Sequence, residues 1–211
     1  MIRETPMIRE TPMIRETPMI RETIVTTCSA AGAVHIAPFG LIAAAAPDRW
    51  VIAPFRPSAT LDNLRAVPEL VANYVADVRI FAGCLTGRRD WPCLPADRLR
   101  PPRLKAALSH AELVVETVAE DATRPRLTCR VIHRGLHAPF EGFNRAQAAV
   151  IEGAILVSRL FMLPRAEVER QMAHLAVAVA KTAGPAEREA WGWLTEAVRA
   201  HAGEAAAGGP P

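Results

Sequence analysis

From Arg21 to Arg134 the apolar residues recur mostly at every second position or in short runs, and beyond His137 they recur at three- and four-residue steps. The first spacing predicts strands and the second helices. Two β-type stretches between Arg21 and Ala46 flank Ser29-Ala30-Ala31-Gly32, a hairpin with a loop of small residues. Trp50–Phe55 is predicted as a third strand and Val71–Ala76 as a fourth. Ala111–Glu120 and Leu127–Arg134 form an antiparallel pair across Asp121–Arg126. Short helices are predicted at Thr60–Ala66, capped by Ser58 or Thr60 with Asp62 in the first turn, and at Val78–Leu85. Thr86–Arg103, rich in Pro and Arg, is expected to be a long surface loop. About six strands suit a small barrel.

In the C-terminal part, Asn144 is positioned to cap a helix over Arg145–Met162, apolar on nearly every side and therefore expected in a core or a subunit interface. Pro164 opens the next helix, with Val168, Met172, Leu175 and Val179 as its stripe. Gly184-Pro185 stops it, and Trp191, Leu194 and Val198 give the last helix one packing face. The fold class is α+β, mainly β. The expected organisation is a repeat leader over 1–18, a barrel domain over 19–138, a helical subdomain over 139–201 and a flexible tail over 202–211.

The leader reading rests on three identical copies of MIRETP. Solenoid repeats need twenty or more residues, and Pro6, Pro12 and Pro18 exclude a helix or an inner strand. Without an apolar central stretch the segment does not read as a signal peptide. Met19 is the expected functional beginning. Half of the 211 residues are hydrophobic but only 5% are aromatic, so an aliphatic core is expected. The 25 basic and 22 acidic residues are too balanced for a nucleic-acid footprint or a membrane-surface patch. Cys28, Cys84, Cys93 and Cys129 form no C-x-x-C pair and read as reduced thiols of a cytoplasmic protein. The longest apolar run contains Glu152 and Arg159, which argues against a membrane span.

Three clusters could carry chemistry. In PFRPSATLDNL, Arg56 offers a charged fork, Ser58 and Thr60 offer hydroxyls, and the helix start offers free N–H groups. Together they could cradle a phosphate. The commoner outcome for such a stretch is a helix cap beside a solvated arginine. In TTCSAAGAVHIAP, His35 sits in a strand, as a wall residue or as a base, and Pro38 favours an edge or opening against which a flat ligand could lie. In RGLHAPFEGFNR, Phe140, Phe143 and Asn144 gather around Gly142, for junction packing or for a ligand. No P-loop, G-x-S-x-G, H-E-x-x-H or Rossmann glycine pattern is present, and no metal-ligand set is expected, so any chemistry would come from a cofactor.

At these clusters the chain resembles the DUF447 family of uncharacterised archaeal and bacterial proteins, which have the flavin-reductase-like split-barrel fold. The matching stretches are ETIVTT, HIAPFG, PFRPSATLDNL, CRVIHRG, GFNRAQAAVIEGAILVSRL and KTAGPAEREA, spread from about Met19 to His201. The resemblance implies a six-stranded split barrel with a C-terminal helical part, a homodimer, and FMN near the subunit interface. It implies that Arg56, Ser58, Thr60 and Asn63 hold the phosphate, and that the His35–Pro38 strand, including Ala37, lines the flavin ring. Asn73 would lie toward the ring, with Thr26, Phe143 and Asn144 as further contacts. An FMN-dependent oxidoreductase is the implied activity, with a role in tetrahydromethanopterin- or methanofuran-linked one-carbon metabolism. Its electron donor and acceptor are unassigned small molecules. The alternatives are a flavin carrier or regulatory protein without turnover, and a structural partner in cofactor synthesis.

Overall fold

The structure is a computed structural model that describes residues 18–207; the repeat leader, Pro18 apart, lies outside the described residues. Six strands close an antiparallel barrel: β1 (Ile20–Cys28), β2 (Val34–Ala43), β3 (Arg49–Ile52), β4 (Glu69–Val75), β7 (Ala107–Ala119) and β8 (Arg126–Leu136), in the order β1-β2-β3-β8-β7-β4. The expected α+β barrel is thus present, with strand ends shifted by a few residues. The β1–β2 turn falls at Ser29–Ala33, where Ser29 accepts the Gly32 N–H through its carbonyl (2.9 Å) and the Ala33 N–H through its hydroxyl (3.1 Å). The Thr86–Arg103 segment is mostly loop, but it carries a two-stranded ladder of β5 (Cys93–Leu94) and β6 (Arg103–Leu104), and Leu104 is fully buried.

Alternation along the strands divides the barrel into two faces. Val25, Leu41, Leu70, Ala72, Ala111, Leu113, Leu127 and Cys129 point inward and pack with Leu61 and Leu64 of α1 (Ala59–Ala66), which plugs the barrel. The outward residues are also buried where other elements cover them. Ile24 and Ile36 share a cluster with α2 (Arg79–Leu85), α3 (Arg145–Val157), α4 (Arg165–Thr182) and α5 (Pro185–Ala207). The helical part and the barrel are therefore joined through one apolar core.

Helix α3 is buried within the chain itself: Ala146, Ala149, Val150, Gly153, Ala154 and Leu156 face the other helices. At Gly153 an added Cβ would stand 3.0 Å from Trp191 and 3.2 Å from Leu194, so the missing side chain sets how close α5 comes. The helix stops five residues before the expected Met162. Arg159 and Leu160 donate to Leu156 and Val157, three residues back, which tightens the ladder, and Phe161 and Met162 are exposed with no burial to extend it. At the other end α5 continues to Ala207, past the expected start of the tail. No helix among the described residues is long and apolar enough to cross a membrane.

Candidate functional site

The β3–α1 junction carries the residues expected to cradle a phosphate. Ser58 takes an extended backbone (φ −157°, ψ 138°) and caps α1, its hydroxyl accepting the Leu61 N–H at 3.2 Å. A single cap satisfies one amide of the first turn, so others remain to meet an anion. Arg56 donates from Nε to the Asp121 carbonyl at 3.0 Å, and its guanidinium pairs with Glu120. Glu120 also receives Arg65, at 3.0 and 3.1 Å. These two guanidinium groups share one carboxylate that is 61% exposed, so Arg56 already holds an oxyanion, with the Asp121 carboxylate beside it. Arg56, Glu120, Asp121 and Ala122 line an open depression of about 390 Å³. Beside it, Arg124 donates to the Ala53 carbonyl (2.7 Å) and lies 4.7 Å over the Phe55 ring.

Thr60 and Asn63 face inward from α1 and are buried. The Asn63 amide donates to the Thr27 hydroxyl at 3.0 Å, tying the helix to β1. His35 is half-buried on β2; burial pushes its pKa below the ordinary imidazole value, and the nearby Arg89 charge adds to this. Ala37 and Pro38 pair with Val25 and Ile24 on β1, but β2 meets β3 only at Ile42–Val51 and Ala43–Trp50. The flank of β2 that carries His35, Ala37 and Pro38 therefore has no strand on its β3 side, which is the opening that the proline suggested.

Thr26 and Asn73 belong to a different surface, the outer face of β1, β4, β7 and β8. Register places Ile24, Asn73, His110 and Gly135 in one row and Thr26, Val71, Glu112 and His133 in the next. The 97–104 loop lies on these rows and its polar backbone is satisfied by them. Asn73 Oδ1 accepts the Leu104 N–H at 2.7 Å, and the Thr26 hydroxyl donates to the Pro102 carbonyl. Glu112, fully buried, accepts the N–H groups of Asp97, Arg98 and Leu99 at 2.8, 2.9 and 2.7 Å, and Glu69 accepts that of Arg100 at 3.0 Å. Sequence reasoning missed Glu112 and its neighbours. The signal was His110-Ala111-Glu112, two polar side chains on one strand face, but only the β7–β8 register brings His133 beside them.

Asn144 is spent as a cap on α3: its Oδ1 accepts the Ala146 N–H (2.8 Å) and its Nδ2 donates to the Thr182 carbonyl of α4 (3.1 Å). Phe143 is fully exposed and meets Phe140 edge-on at 5.1 Å. The structure thus brings Arg56 and Ser58 together at one end of α1, Thr60 and Asn63 beneath them, Thr26 with Asn73, and leaves Phe143 and Asn144 at the β8–α3 connection.

Comparison with known proteins finds no match among curated proteins. Among solved structures, the FMN-bound protein MM1853 from Methanosarcina mazei is 19% identical, with a TM-score of 0.74 over 85% of this chain and 95% of that one. This likeness establishes the fold. Weaker likenesses are to the FMN-binding protein from Thermus thermophilus (13% identity, TM-score 0.49, 68% of this chain and 86% of that) and the 2-nitrobenzoate 2-nitroreductase NbaA from Pseudomonas fluorescens (18%, 0.48, 59% and 67%). The family models described as the N-terminal domain of the protein of unknown function DUF447 and as DUF447 match residues 21–138 and 144–196. With both models matched in order over most of its length, the chain belongs to the DUF447 family.

Proposed function

We propose that this protein binds FMN and acts as an oxidoreductase. The observation that carries the reading is the β3–α1 junction, where a guanidinium already engaged with an oxyanion stands two residues before the cap of a helix. Support comes from the family relative whose crystal holds FMN and which matches this fold over nearly its whole length. The donors at the junction fit the group: Arg56 can meet phosphate oxygens with its fork and the free α1 amides with backbone N–H, whereas Thr60 is buried on the inner side of α1 and its hydroxyl does not face them. The flank of β2 at His35, Ala37 and Pro38, which has no β3 partner, leaves an edge for the flavin ring, and a histidine held below its ordinary pKa there donates or accepts without adding charge near pH 7.

When bound, the flavin would supply hydride or electron transfer. The residues of this chain hold, orient and shield it. Glu120 competes with the phosphate for Arg56 and, on release, stays paired with Arg65. We propose a homodimer, supported by the exposed Leu136, Phe140 and Phe143 at 81%, 58% and 100%, and one-carbon cofactors as the first electron acceptors to try.

The test is a fluorescence titration of FMN and riboflavin. Arg56→Ala removes a charge-assisted pair worth about 1.5–3 kcal/mol, so FMN affinity should fall by about one to two decades while riboflavin is nearly unaffected. Arg56→Lys should recover part. Equal loss for both ligands, or no loss, would remove Arg56 from the phosphate site. No FMN binding by the wild type would overturn the function itself.

A further inference from the structure

We propose that Asp97, His110, Glu112 and His133 bind one divalent transition-metal ion of the zinc class, which clamps the 97–104 loop to the outer face of the barrel. His110 and Glu112 stand two residues apart on β7 and share a face; Glu112 is the register partner of His133 on β8, and the loop brings Asp97 over them. His110 Nε2 is 3.2 Å from Glu112 Oε1 and 3.4 Å from Asp97 Oδ2, and His133 Nε2 is 3.0 Å from Asp97 Oδ2. All four donor atoms lie within 4.8 Å of one another. A tetrahedral ion about 2.0–2.2 Å from nitrogen and oxygen ligands separates them by roughly 3.3–3.5 Å, so three pairs are already near that spacing. The buried His110 and Glu112 side chains form a rigid half-site, while Asp97 and His133, 55% and 28% exposed, can turn to close it.

The surroundings orient these ligands. His110 Nδ1 lies 2.8 Å from His137 Nε2 with the two rings parallel to within 4°, and a hydrogen bond there leaves Nε2 facing the carboxylates. A Cβ at Gly135 would stand 2.4 Å from His110 Cε1, so the ring's slot exists only because residue 135 is glycine. Glu112 Oε2 is held by the Arg98 and Leu99 amides, and Oε1, which accepts the Asp97 N–H at 2.8 Å, keeps its other lone pair toward His110. Outer partners of this kind fix ligand tautomer and direction. Two carboxylates and two imidazole nitrogens face one another, one carboxylate fully buried, and a dication placed among them would meet all four donors. An imidazole–carboxylate set suits zinc. The rival is a proton on His110 shared with the carboxylates and no ion.

The test uses the full chain without a histidine tag, stripped by chelator and dialysed against Zn²⁺. One zinc per chain and a raised melting temperature are expected, and Co²⁺ in its place should give the intense visible bands of a four-coordinate ion. His133→Ala, a change at the accessible rim, should weaken zinc at least tenfold and abolish those bands, as should Asp97→Ala on the loop. His174→Ala, on exposed α4 surface, should change nothing. Zinc retention by the wild type no greater than by His133→Ala, or only the pale spectrum of six-coordinate Co²⁺, would overturn the site and leave the proton-shared network.

Discussion

Asn73 is the residue whose replacement should be felt most directly in both the barrel and the loop. It is fully buried; its Oδ1 accepts the Leu104 N–H at 2.7 Å, and its Nδ2 lies within 3.0, 3.2 and 3.4 Å of the Ile24 carbonyl, the Val71 carbonyl and the Thr26 hydroxyl. Asn73→Ala strands the Leu104 N–H under a fully buried side chain, at about 1–3 kcal/mol. The emptied space adds a smaller packing loss, for a total of about 2–4 kcal/mol, since deletions in a close-packed interior relax only in part. Asn73→Asp keeps the acceptor for Leu104 but sets a carboxylate against two carbonyls, so it should be at least as destabilising at neutral pH and recover in acid as it protonates. Urea denaturation followed by circular dichroism measures the loss, and limited proteolysis should open the 97–104 loop first. A loss below about 0.5 kcal/mol for Asn73→Ala, well under the cost of one unsatisfied buried amide, would refute this account.

Glu120→Ala should strengthen FMN binding by freeing Arg56 from its carboxylate, and unchanged or weaker FMN affinity by titration would show that Glu120 and the phosphate do not compete. Gly135→Ala drives a methyl group into the His110 ring and should cost about 1–3 kcal/mol of overpacking, read by urea midpoint. His35 titrates below its ordinary value, so the unfolded chain takes up its proton first: the stability it contributes is full above about pH 6.5 and is lost as pH falls through the lowered value. His35→Gln should therefore flatten the fall in urea midpoint between neutral and acid pH. Sedimentation should show a dimer at micromolar concentration that Phe143→Asp shifts toward monomer, because that ring is exposed in the single chain.

Local pattern determined most of the elements. Alternation marked the strands, and the caps at Ser58 and Asn144 were legible because an N-cap needs only its own first turn. Arg56 and Ser58 lie two positions apart, so their joint placement at one strand–helix junction was legible, whereas the inward burial of Thr60 and Asn63 was not. What tertiary structure alone decided was pairing at a distance. Ser58 and Arg56 are near neighbours in sequence, but Glu120, Arg56's partner, comes from the end of β7 and becomes its neighbour only when the barrel closes. The all-apolar face of Arg145–Val157 was readable, yet only the packing of α4 and α5 showed that the chain itself covers it. Asp97, His110, Glu112 and His133 are separated by loop and turn, and a one-residue slip in the β7–β8 register would have sent His133 to the opposite face. Residue type can announce a strand or a cap because those depend on neighbours in the chain. A cluster drawn from two strands and a loop depends on register and closure, which no local stretch encodes.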